Sequence, residues 1–176
     1  MDLSLKTPDG TFNYRVAAIF THEGRVLILQ DESCPIDYLP GGRVRLFESA
    51  ETAIAREMQE ELGLCTVPPH RAVFVAESCY RVVADESAGF CGDYHEVGVY
   101  YLMDTPAELL ARGDCFVIRE QSDNPADREV HHFRWVPFGE LRRLTFLPEF
   151  LKERIHSLPD TLEYITCDGT LPAIRG

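Results

Sequence analysis

The sequence predicts an α/β fold with a mixed β-sheet flanked by helices, and two observations carry that expectation. Short apolar, β-branched runs recur on both sides of one stretch with helical periodicity. Further helical pattern follows toward the C-terminus, and strands mixed with helices in this way belong to layered α/β architectures.

The elements follow in chain order. "YRVAAIF" (14–20) and "RVLILQD" (25–31), separated by "THEG", read as a hairpin. "CPIDYLPGG" (34–42), with two prolines and two glycines, reads as an irregular loop. Ser49 is placed to N-cap a helix from Ala50 to Leu62, and Gly63 to end it. "HRAVFVAESCYRVV" (70–83) and "HEVGVYYLMD" (95–104) read as strands joined by a polar loop at "ADESAGFCGDY" (84–94). "FVIRE" (116–120) and "HHFRWVP" (131–137) read as strands, and "FGELRRL" (138–144) and "PEFLKERIHSL" (148–158) as helices. No repeat, low-complexity tract or linker divides the sequence, so 1–176 is expected to be a single domain.

Composition bounds the function. The 176 residues carry a net charge of -12, with a pI near 4.9. Nucleic-acid and anionic-membrane surfaces attract basic proteins, so neither is an expected partner. A phosphorylated small molecule stays open, provided a metal ion supplies positive charge. No secretory signal and no transmembrane stretch is visible, and the six cysteines lack a C-x-x-C pair or zinc-like spacing. Reduced cysteines and a cytoplasmic location are the expectation.

The helix at 50–62 concentrates the chemistry. On a 100° wheel, Ile54, Met58 and Leu62 share an arc of roughly 80°, the face that packs on the sheet. Glu57, Glu60 and Glu61 lie within roughly 100° of each other, beside that arc rather than opposite it. A solvated acidic face normally sits opposite the core. Carboxylates at its margin are partly desolvated and want a counter-charge, such as Arg56 or a hard divalent cation held by oxygen ligands.

A longer constellation surrounds this helix. Gly42 is followed after five residues by Glu48, and after seven more by "REMQEELGL", satisfying G-x5-E-x7-R-E-U-x-E-E-x-G-U with U a bulky aliphatic. The fixed positions are Gly42, Glu48, Arg56, Glu57, Glu60, Glu61 and Gly63. A chance match has a probability on the order of 10⁻⁷ in a chain of this size. This stretch resembles the signature of the Nudix hydrolases. "YLPGG", "HEVGVYYL" and "FRWVPFGEL" extend the similarity to small stand-alone bacterial members, with Tyr38 where many relatives carry Trp.

The resemblance implies an α/β/α sandwich with a mixed sheet. It also implies metal-dependent hydrolysis of a nucleoside diphosphate linked to another moiety X. Glu57, Glu60 and Glu61 would face the metal, Mg²⁺ or alternatively Mn²⁺, with the Gly42 carbonyl as a further ligand where the backbone turns tightly. Glu57 and Glu61 are the strongest catalytic candidates, and Arg56 and Glu48 would orient them. The general base is open among Glu57, Glu77, Glu96, Glu120 and Glu129.

Outside the motif, Arg43 and Arg45 are candidates for substrate phosphate. Tyr80 is a candidate for stacking on a base, at a position where some dinucleoside-polyphosphate-cleaving relatives carry tyrosine. His131 and His132 alternate faces on one strand, so one is expected exposed and one packed. Trp135 is expected to anchor the core beneath the C-terminal helices, and the 84–94 loop to act as a variable substrate lid. ADP-ribose, dinucleoside polyphosphates, oxidised or ordinary nucleoside triphosphates and nucleotide sugars all stay open as substrates. The alternative to an enzyme is a non-catalytic nucleotide sensor of the same family. Dimerisation, common among relatives, is left open.

Overall fold

The computed structural model describes residues 1–31, 36–84, 92–119 and 130–174. In chain order the strands begin with β1 (Ser4–Thr7), β2 (Gly10–His22), β3 (Arg25–Asp31), β4 (Asp37–Tyr38) and β5 (Gly41–Arg43). Helix α1 (Ala50–Leu62) precedes β6 (His70–Ala84), β7 (Gly92–Met103), α2 (Ala107–Leu110), β8 (Cys115–Arg119) and β9 (Val130–Pro137). A 3₁₀ helix (Phe138–Arg143), β10 (Phe146–Leu147), α3 (Leu151–Arg154) and β11 (Glu163–Ile174) complete the chain.

The sheet is mixed, with the main order β10-β4-β3-β2-β7-β6-β11. Its parallel pairs are β2 with β7, β6 with β11 and β4 with β10. The expected hairpin is present, turning at Glu23 and Gly24 with φ of 47° and 73°, the left-handed pair that two-residue hairpin turns favour. It is shorter than expected. β2 and β3 pair only at Thr21 with Val26 and His22 with Arg25. A strand has two edges, and below this corner β2 gives one edge to β7 and the other to β1 and β5. β3 pairs instead with β9 along its whole length.

Two cores follow from this split. Ile54, Met58 and Leu62 of α1 are fully buried against Val16, Ala18, Phe20, Leu27 and Leu29. Each large apolar side chain removed from water contributes about 1.5–3 kcal/mol, so this face fixes the rotation of α1. On the opposite face, Ile19, Ile28 and Phe74 pack with Leu141, Phe146, Leu151 and Ile155. That second helical layer is thinner than expected. The 148–158 segment forms only one α-helical turn at Leu151–Arg154, since Pro148 and Pro159 bracket it. Trp135 is buried in the α1-side core, not beneath the C-terminal helices, where its neighbour Val136 lies instead. Strand β11, parallel to β6, was not anticipated from the sequence, because Asp168, Gly169 and Pro172 depress its strand signal.

The α1 boundaries match expectation at both ends. Ser49 Oγ accepts from the Thr52 N–H at 3.1 Å, and Gly63, at φ 62°, donates its N–H to the Gln59 carbonyl at 3.0 Å. His131 is buried and His132 exposed, as the strand alternation required. Among the described residues, Cys65, Cys79, Cys115 and Cys167 are free. No helix among them is long and apolar enough to cross a membrane.

Candidate active site

Helix α1 rotates its apolar stripe onto the sheet, and this carries the flanking carboxylates inward with it. Glu57 and Glu61 are only 8% and 7% exposed. Glu60, one step further round, is half-buried. The Glu61 Oε2 accepts from the Gly41 N–H at 2.7 Å. The Glu57 carboxylate sits against Gly42, where a Cβ would lie 2.3 Å from Oε1. The two glycines of β5 thus leave a gap through which α1 brings both carboxylates to the sheet. Gly42 was expected to serve a tight turn. The positive φ, 143°, instead belongs to Gly41, and Gly42 is required by the approach of Glu57.

Arg56 clasps the cluster. Its Nε donates to Glu48 Oε1 at 2.8 Å and its Nη2 to Glu48 Oε2 at 3.0 Å, a bidentate pair. Nη1 donates to Glu57 Oε1 at 2.6 Å and to Glu60 Oε2 at 2.8 Å. Nη2 also reaches the Arg43 carbonyl at 3.0 Å. The Arg45 N–H donates to Glu48 Oε2 at 2.8 Å, closing the loop between β5 and α1.

Electrostatics grade the carboxylates. Hydrogen bonds from Arg56 pull the Glu48 carboxyl down to about 2. Burial pushes Glu57 up, against the opposing hydrogen bond from Arg56. Burial, reinforced by the nearby Glu57 charge, pushes Glu61 well above the usual carboxylate range. The cluster holds more negative charge than Arg56 neutralises, and the surplus lies on its two most buried members.

The other expected residues divide clearly. Arg43 and Arg45 are exposed at the edge of the cluster. The Arg45 guanidinium lies 3.5 Å from Glu60 and 3.9 Å from Asp2. Tyr80 stacks on Tyr94 with centroids 5.3 Å apart and planes 11° from parallel. Glu77 and Glu96 fall on opposite faces of the sheet. Glu77 accepts from the Tyr164 hydroxyl and bonds His95 Nε2 at 2.8 Å. Glu96 shares its face with Arg15 and Tyr80. Glu120, Glu129 and residues 85–91 of the expected lid lie outside the described residues.

Arg15 was missed in the sequence. It lies on β2 beside Arg43 of β5, with its guanidinium 5.9 Å from the centre of the Tyr38 ring. The charges of Glu96 and Glu61 raise its pKa, against the effect of burial. The available signal was one arginine inside the apolar run "YRVAAIF", since arginine is rarely drawn into a core without partners.

Fold and site together define an α/β protein built around a buried acidic helix and its arginine clasp. The NUDIX domain model matches residues 11–158, and the chain therefore belongs to the Nudix hydrolase family. The structure is similar to the crystal structure of the mMutator MutT protein from Bacillus halodurans, with a TM-score of 0.57 at 18% identity, covering 90% of each chain. It is also similar to that of the MutT protein from Methanosarcina mazei Go1, with a TM-score of 0.54 at 19% identity, covering 87% of this chain and 94% of that one. These likenesses show the fold. No curated protein matches the chain. Nudix hydrolases act on nucleotide substrates and generally use divalent metals.

Proposed function

We propose that the protein hydrolyses a phosphoanhydride bond in a nucleoside diphosphate linked to another moiety X, with a divalent cation, Mg²⁺ or Mn²⁺. The observation that carries this reading is the pair of buried carboxylates, Glu57 and Glu61, crowded beside a single arginine clasp. Among the described residues no three acidic, histidine or cysteine side chains converge on one point. Glu57 and Glu60 are turned to Arg56, and Glu61 to the Gly41 N–H. The donor set nevertheless fits a hard cation. It is all oxygen, it carries surplus buried negative charge, and Gly42 leaves the space beside Glu57 clear.

Glu57, Glu60, Glu61 and the Gly42 carbonyl would hold the ion. When bound, the cation neutralises diphosphate charge and acidifies a coordinated water. The chain's own residues supply the rest. Arg56, anchored by Glu48, fixes the rotamers of Glu57 and Glu60, so the carboxylates need little reorganisation when substrate arrives. Arg43 and Arg45, exposed at the rim, are placed to receive anionic oxygens. The free cysteines are in keeping with a cytoplasmic enzyme.

The test is hydrolysis of a broad nucleotide panel with and without Mg²⁺ by the wild type and Glu61→Gln. Metal-dependent turnover that drops about 10²–10³-fold in the variant supports the reading. Nucleotide binding without turnover, equal in both proteins, replaces it with the sensor alternative.

A further inference from the structure

Helix α1 covers only part of the sheet face on which it packs. Its partners there include β2, β5 and β8. Beyond the helix, strand register carries the same face across β1, β2, β7, β6 and β11. A chain of side-chain contacts marks it. The Phe12 and His95 rings meet edge to face with centroids 5.8 Å apart. His95 Nε2 bonds Glu77 at 2.8 Å, and the Tyr164 hydroxyl donates to the same carboxylate. Leu5, beside Phe12 on one flank, is 54% exposed, and Tyr164 on the other flank 63%. Between them Phe12, Val97 and Val75 are half-buried.

A sheet face turned to water normally alternates to polar residues. This one presents leucine, phenylalanine, valine and tyrosine around a hydrogen-bonded His–Glu pair. At about 4.8 Å between strands and about 3.3 Å per residue from Asp93 to Val99, it spans roughly 24 Å by 23 Å. Two such faces in contact bury about 1,100 Å² before side-chain relief is counted, the size at which specific interfaces begin. Folded monomers rarely leave so large an apolar surface to water.

Charge chooses the partner. The chain carries 29 acidic residues against 17 lysines and arginines, a net charge of -12. On this face, among the described residues, Glu77 is bonded to His95 and Asp93 to Arg81, and Asp168 lies on the β11 flank. The face is thus nearly neutral in a strongly acidic chain. A basic partner would find little here to pair with, whereas an acidic one meets little repulsion. A second copy of this chain is such a partner.

We propose that two copies of the chain pack these faces together, sheet on sheet, about a two-fold axis. Val97 and His95 lie toward the centre of the interface, and Leu5 and Tyr164 at its flanks. The association does not depend on hydrolysis, and each can fail without the other.

Sedimentation velocity of the full chain between about 1 and 100 µM reads the mass, a range that covers interfaces of this size. It is expected to reach twice the chain's 20.0 kDa. Leu5→Glu and Tyr164→Lys each count twice across the axis and are expected to raise the dissociation constant about 100-fold. Their charges are opposite, so a change in net charge cannot account for both. Val117→Glu should leave the dimer intact. Val117 is 51% exposed on β8 and points away from the core side of Phe116 and Ile118. A second readout needs no variant. Cys79 is exposed on the proposed interface, whereas the exposed Cys115 lies on β8. Maleimide labelling of Cys79 is expected to slow as the dimer fills, with Cys115 unchanged. A monomer at 100 µM overturns the proposal. So does a dimer that survives both face variants or is lost in Val117→Glu, and so does Cys79 labelling as fast in the dimer as in the monomer.

Discussion

The Glu57 carboxylate lies where a side chain on Gly42 would begin, with Oε1 2.3 Å and Oε2 2.7 Å from the place of a Cβ. The obstacle is the far end of a flexible side chain, so Gly42→Ala is expected to fold while displacing Glu57. Hydrolysis should fall about 10²-fold, with stability changed by about 1 kcal/mol or less. Gly41→Ala should behave in the opposite way. Its Cβ would meet the Val16 carbonyl oxygen at 2.2 Å and the Ala17 Cα at 2.7 Å, both backbone, at a φ of 143°. That variant is expected to lose about 2–4 kcal/mol. Denaturant titration of the two proteins beside their rates checks the pair, and equal losses of stability would refute the distinction.

Arg56 donates to five acceptors, among them both oxygens of Glu48. Lysine carries the same charge without the planar fork and cannot bridge Glu48, Glu57 and Glu60 together. Arg56→Lys is therefore expected to lose about 2–4 kcal/mol of stability and most of its activity. Urea unfolding is the measurement. A lysine variant within about 0.5 kcal/mol of the wild type would show that charge, not fork geometry, holds the cluster.

Much of this was legible in the sequence, for reasons of range. Ser49 and Gly63 bound α1 through bonds three or four residues long, so local pattern placed both ends. The burial of Ile54, Met58 and Leu62 followed from helical period alone, and with it the inward margin occupied by Glu57 and Glu61. What could not be read depends on distant pairing. Strand β11 exists because β6 offers it a parallel edge some ninety residues away in sequence, Glu163 beside Phe74. Asn13 and Glu96 meet across β2 and β7 in the same way. The role of Gly42 was misread because the intruding carboxylate comes from another element.

Acid should act first through Glu48. Its carboxyl is held at about 2, below the ordinary 4.5, by Arg56 and the Arg45 N–H. A depressed folded-state value gives stability that is present above pH 4.5 and lost as pH falls toward 2. Glu48→Gln should therefore be less stable than the wild type at pH 5, and the gap should close progressively below that pH. Denaturant titrations at intervals between the two values test this, and a gap independent of pH would assign the effect of Glu48 to packing rather than charge.

Glu61 should show the opposite sign. Burial and the Glu57 charge raise its folded-state value well above 4.5, so the folded protein holds that proton more tightly than the unfolded chain does. The associated stability is greatest at low pH and is lost as pH rises through the raised value. Without metal, the wild type is expected to gain from mild acidification, until Glu48 begins to protonate. Glu61→Gln, neutral at every pH, should be the more stable protein at pH 7.5 without metal, by about 2–4 °C, the size of a 1 kcal/mol change in a chain of this length. Mg²⁺ should reverse the order. An ion bound by Glu61 in the folded state alone raises the wild-type midpoint by mass action and leaves the variant nearly unmoved. Thermal unfolding of both proteins, with chelator and with millimolar Mg²⁺, reads all four values. If Mg²⁺ raises both midpoints equally, Glu61 is not a ligand of the ion, and its burial against Gly41 must have another cause.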